Sequence, residues 1–119
     1  MRLKDKALNL TCKQGSTFTR RLTYKINNVI VNLTGYTARM QVRRTIDSES
    51  AIVTLNTQNL GLEINPVAGT TNLIKISMSA AVTASINSSG VYDLEIIDAN
   101  GFVSKVIRGA FTLIPEVTR

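Results

Sequence analysis

Val91-Tyr92-Asp93-Leu94-Glu95-Ile96-Ile97-Asp98 is the stretch that decides the fold class. Successive side chains of a strand point to opposite faces, so Tyr92, Leu94 and Ile96 fall on one side and Asp93 and Glu95 on the other. That pattern belongs to a strand with one buried and one wet face. Asp98-Ala99-Asn100-Gly101 follows at once, with Asn-Gly placed for left-handed turn positions. The chain therefore turns back into a second strand, over 102–114. Gly109 interrupts that strand and the alternation changes phase around it, which predicts a bulge or bend there.

The same period of two runs upstream. In Tyr36-Thr37-Ala38-Arg39-Met40-Gln41-Val42-Arg43, one face reads Tyr, Ala, Met, Val and the other Thr, Arg, Gln, Arg. Asn72-Leu73-Ile74-Lys75-Ile76-Ser77-Met78 places Ile74, Ile76 and Met78 together. Further strands are expected over 8–13, 16–26, 29–33, 51–55 and 61–64, all rich in Thr, Val and Ile. Asn27-Asn28 sits between Ile26 and Val29, and Asn tolerates the positive φ of a two-residue hairpin. Pro66 and Gly69 mark a loop. One segment differs: Ser79-Ala80-Ala81-Val82-Thr83-Ala84-Ser85-Ile86-Asn87 is Ala-rich and without alternation. It predicts one or two helical turns near 79–87, capped by Ser79, with Val82 and Ile86 facing the core. About seven to nine short strands with frequent turns make an all-β antiparallel sandwich or barrel, and residues 1–119 form a single domain.

The chain has 119 residues, with 14 Lys+Arg against 8 Asp+Glu, no His, no Trp and one Cys. A lone Cys12 excludes an intrachain disulfide framework and a cysteine-based zinc site within one chain. Without His, the commonest general base and metal ligand are missing. No apolar run is long enough to span a bilayer, and the charged start at Met1-Arg2-Leu3-Lys4-Asp5-Lys6 lacks the apolar core of a signal peptide. Cys12 has no base to activate it and reads as a small buried thiol. Asp93 and Glu95 lie on an outer strand face, suited to cross-strand pairing with Lys105 or Arg108 rather than to acid–base work in a cleft. Asp47-Ser48-Glu49 forms an acidic loop tip with no EF-hand spacing. No catalytic, cofactor or metal site is expected.

Charge is unevenly spread. Residues 1–46 carry ten basic residues and one acid, +9, whereas residues 47–119 carry four basic and seven acidic residues, −3. Such a split points to a partner of opposite sign: nucleic acid, an anionic surface or another copy of the chain. Arg39, Gln41 and Arg43 form a stripe on one strand face, to which Arg20 or Arg21 adds. Nucleic-acid binding remains the weaker alternative, because Tyr24, Tyr36 and Tyr92 lie on apolar faces and leave no stacking platform.

The order of motifs along the chain resembles a known group. Gln14-Gly15-Ser16-Thr17-Phe18, Leu33-Thr34-Gly35-Tyr36, Gly90-Val91-Tyr92-Asp93-Leu94-Glu95, the Asn100-Gly101 hairpin, Arg108-Gly109 and Pro115-Glu116-Val117-Thr118-Arg119 together resemble small tail and baseplate structural proteins of tailed bacteriophages. The resemblance implies an immunoglobulin-like sandwich similar to siphophage tail-tip collar proteins and to the N-terminal domain of upper-baseplate proteins. It further implies a non-enzymatic virion protein, made in the bacterial cytoplasm, that forms a homo-oligomeric ring. The ring contacts the distal tail protein or tube, and fibre components. The chain stops at the sandwich, which favours a collar or adaptor over direct fibre attachment. Arg20, Arg21, Arg39, Arg43, Arg44, Asp93, Glu95, Glu116 and Arg119 are the interface residues this reading selects, with Arg39, Arg43 and Arg44 expected near acidic groups of a neighbouring subunit. The ends, 1–6 and 116–119, are expected to dock on neighbours. A glycan-binding module on the virion is the alternative.

Overall fold

The computed structural model describes residues 6–118. Alternation of apolar and polar residues builds two sheets that face one another. The strands are β1 (Lys6–Ala7), β2 (Leu10–Lys13), β3 (Phe18–Thr23), β4 (Lys25–Ile26), β5 (Val29–Ile30), β6 (Thr37–Arg43), β7 (Val53–Asn56), β8 (Leu62–Ile64), β9 (Leu73–Met78), β10 (Gly90–Ile97) and β11 (Val103–Ile114). The larger sheet runs β1-β11-β10-β6-β7, with β2 also on β11, and the smaller runs β3-β9-β8. β4 and β5 form a separate hairpin whose turn residues Asn27 and Asn28 have φ of 51° and 66°. The result is an all-β, immunoglobulin-like sandwich. The inner faces meet in a core of Met40, Val42, Leu62, Ile74, Ile76, Leu94, Ile96 and Phe111, all buried. Cys12 lies in that core as a free thiol, and burial pushes its pKa up.

Three local expectations need correction. The helix α1 (Ala80–Ser85) forms between β9 and β10, and Ser79 caps it by accepting from the Val82 amide at 3.2 Å. Its buried residue, however, is Thr83, while Val82 is 37% exposed. The Thr83 hydroxyl donates to the Ser16 carbonyl at 2.8 Å, and Gln14 Nε2 donates to the Ile86 carbonyl at 2.8 Å, so polar anchors hold the helix to the β2–β3 turn. Second, the bulge falls at Val106, not Gly109. Leu94 pairs with Ile107 and Glu95 with Lys105, so Val106 is the extra residue, and both it and Ile107 turn inward. Third, the sandwich is not wholly antiparallel: β1 and β2 run parallel to β11.

Gly109 has a different job. It lies directly across from Tyr92, and a Cβ there would collide with the Leu8 carbonyl oxygen. The N-terminal strand breaks at Leu8-Asn9, where Leu8 N–H donates to the Arg108 carbonyl at 2.8 Å and Asn9 Oδ1 accepts from the Ala110 amide at 3.1 Å. The space a side chain would fill holds that carbonyl, which accepts from the Tyr92 hydroxyl at 2.5 Å. In antibody-type domains a tyrosine near the start of one strand bonds to backbone a few residues upstream. Here the bond ties β10 to the N-terminal strand instead.

Candidate interaction surfaces

The outer face of the larger sheet carries four of the nine expected interface residues, Arg39, Arg43, Asp93 and Glu95. Cross-strand register puts Glu95 between Arg39 on β6 and Lys105 on β11, and Asp93 between Gln41 and Arg108. The Arg39 guanidinium pairs with the Glu95 carboxylate. Lys105 Nζ lies 2.9 Å from Asp93 Oδ2 and 3.4 Å from Glu95 Oε2. Hydrogen bonding to Asp93 is the main cause that raises the Lys105 pKa; burial opposes it, and the charges of Asp93 and Glu95 add to the rise. Arg43 donates to the Ser48 carbonyl and to Gln41 Oε1, both at 2.8 Å, so it braces the loop that follows its own strand. The pairing expected between Lys105 and the strand carboxylates is present. Arg39 finds its anion within the chain.

Arg20 and Arg21 do not join that stripe. They sit on β3, in the other sheet, because register pairs Arg20 with Ile76 and Arg21 with Lys75. Arg44 is exposed beyond the end of β6. Glu116 is anchored: its amide donates to Gln14 Oε1 at 2.9 Å, and its carboxylate lies against Gly15. Arg119 and residues 1–5 lie outside the described residues. Among the described residues no group of three His, Cys, Asp or Glu could hold a metal.

The second surface is one that strand-by-strand reading of the sequence missed. β3 is the end strand of the smaller sheet, and among the described residues nothing pairs with its outer edge. Between that edge and the Leu8–Ile107 side of the larger sheet runs a groove of about 690 Å³. Leu8, Leu22, Ile26, Ile74, Val106 and Ile107 supply apolar lining, and its charged lining is entirely cationic: Arg20, Arg21 and Lys25. None of these three cations is within ion-pair distance of a carboxylate among the described residues. The available signal was the basic cluster at residues 20–25 on an alternating strand, but placing it needs the sheet order.

No protein-family model and no curated protein matches the chain. Solved structures do. One is similar over 94% of this chain and 94% of its own, with a TM-score of 0.51 and 14% identity: the extracellular domain of the voltage-gated sodium channel beta4 subunit, described as a parallel homodimer that explains a role in cell–cell adhesion. At that identity the likeness defines the class of fold, an immunoglobulin-like domain.

Proposed function

We propose that this chain is a non-enzymatic structural subunit whose work is to hold other chains: a collar or adaptor protein at the tail tip or baseplate of a tailed phage virion, arranged in a ring. The phage assignment rests on the order of sequence motifs. The observation that carries the interaction role is the contrast between two charged surfaces. On the large sheet's outer face, cations and carboxylates are matched across strands. At the β3 edge three cations have no such match among the described residues, and unmatched charge beside open backbone is what a partner of opposite sign completes.

A ring is built from unlike patches meeting head to tail. Co-purification of the chain from assembled particles, with light scattering on the isolated chain, tests the reading. Recovery with tail components upholds it, and absence from particles overturns it. Recognition of a host-surface ligand such as a glycan is the second reading, favoured by Phe102, an aromatic 61% exposed beside the Asp98–Gly101 turn. A glycan array that lights up, and goes dark with Phe102→Ser, would replace the first reading with the second.

A further inference from the structure

We infer that the free edge of β3 is a docking site for an extended, acidic segment of a different protein chain, which adds as a strand to the smaller sheet. The inference rests on the interaction role above and names the partner's chemistry.

Three independent features meet there. The first is backbone. Tyr24 N–H donates to the Asn72 carbonyl at 2.9 Å, whereas Ser77 N–H donates to Gly61 and Asn65 N–H to Leu73, both on the β8 side. Peptide groups of β9 therefore alternate between β3 and β8. With Arg20 opposite Ile76 and Leu22 opposite Ile74, the N–H and C=O groups of Thr19, Arg21 and Thr23 point to the free edge. That row is what strand addition uses. The second feature is the groove beside it, whose apolar lining would take alternate side chains of the added strand. The third is charge. Arg20, Arg21 and Lys25 are exposed and rim the groove without an anion among the described residues.

Charge also decides against a second copy meeting this one β3 edge to β3 edge, and folding decides against the acidic loop. Two β3 edges placed together would oppose arginine to arginine. The acidic loop at Asp47 and Glu49 is folded on itself, with the Ser48 carbonyl held by Arg43 and the Ser48 hydroxyl 3.0 Å from the Thr45 amide. Cationic edge residues can also act as guards against edge-to-edge aggregation, and the test separates that role from docking.

The probe is an acetylated, amidated peptide of alternating Glu and Val, compared with its Lys-for-Glu counterpart and with a version N-methylated on the amides of one edge. Backbone resonances of the 15N-labelled full chain are followed. In the free chain the Thr19, Arg21 and Thr23 amides should exchange rapidly with solvent. The acidic peptide should protect them by about tenfold or more while shifting Leu8 and Leu22. The basic and N-methylated peptides should not. R20E/R21E should weaken acidic-peptide binding by about tenfold or more and leave the fold's other resonances in place. No binding at millimolar peptide, protection of these amides already in the free chain, peptide shifts elsewhere, or self-association through β3 would each overturn the inference. Loss of solubility in R20E/R21E without any peptide binding would assign the cations to guarding. Particle co-purification is a separate readout, so the ring assignment and the docking edge can fail independently.

Discussion

On the outer face of the large sheet, each strand carboxylate sits opposite a cation. Along the edge of β3, similar strand arginines meet no anion among the described residues. The difference lies in strand order. β10 is interior to its sheet, so Asp93 and Glu95 are flanked on both sides by strands bearing Arg and Lys. Among the described residues β3 is terminal, with a neighbour on one side alone, and that neighbour places Lys75 beside Arg21. A charged residue's role in a sheet is thus set less by its own strand than by what the fold lays next to it.

The largest expected effect strikes the N-terminal strand, which walls the groove, and spares the matched face. Gly109→Ala drives a Cβ into the Leu8 carbonyl. It should cost about 3 kcal/mol, at the upper end of overpacking effects, because the obstacle is backbone and cannot change rotamer. Urea unfolding gives the loss. The Arg39–Glu95 and Lys105–Asp93 pairs should persist in the folded fraction, while Leu8 and the groove shift. Next in size is Glu95→Lys, which removes the anion shared by Arg39 and Lys105 and leaves three cations abreast. About 2 kcal/mol of destabilisation is expected, since like charges directly opposite repel and the Glu95 side chain is only 17% exposed. Added salt should restore part of it.

Features that depend on local pattern are legible in the sequence. Period-two alternation located the main strands, Asn27-Asn28 made the expected hairpin, and Ser79 capped the expected helix. Local pattern does not encode features that a distant segment decides. Val82 has the right spacing to pack with Ile86, but the Ser16 carbonyl from another turn draws Thr83 inward instead. Gly109 looks like a bulge in one dimension, and its real cause is Leu8, about a hundred residues away in sequence. At the candidate surfaces, pairing of Lys105 with Asp93 was legible because one hairpin holds both residues. The internal partner of Arg39 and the separation of Arg20 and Arg21 from Arg39 required sheet order, which alternation does not encode.

Tyr92 joins the two regions, since its strand belongs to the matched face and its hydroxyl reaches Leu8 at the groove. Burial pushes its pKa up to about 12, and the charge of Arg20 works the other way. A folded-state value above the unfolded value of about 10 means that the fold favours the neutral phenol. That stabilisation is complete below about pH 10 and is lost as pH rises from about 10 to 12. Tyr92→Phe should cost about 1 kcal/mol at neutral pH, the net worth of one hydrogen bond. It should also abolish the tyrosine-dependent part of the alkaline loss. Urea titrations at neutral and alkaline pH on both proteins measure the two effects. Arg20→Gln should move the Tyr92 titration upward, which would tie the edge cation electrically to the core hydroxyl.

The smallest effect is the most discriminating. Arg21→Glu reverses a charge on a strand, as Glu95→Lys does, yet the expected sign is opposite. Arg21 and Lys75 are directly opposed, and their peptide groups point away from one another, the arrangement in which side chains approach most closely. Replacing that like-charged pair with Glu beside Lys75 should leave stability unchanged or raise it by no more than about 0.5 kcal/mol. The small gain should shrink with added salt. If Arg21→Glu instead destabilised the chain as strongly as Glu95→Lys, Arg21 would already hold an anion within the folded chain. The two regions would then differ only in where their pairing lies, and the β3 edge would have no unmatched charge to offer a partner.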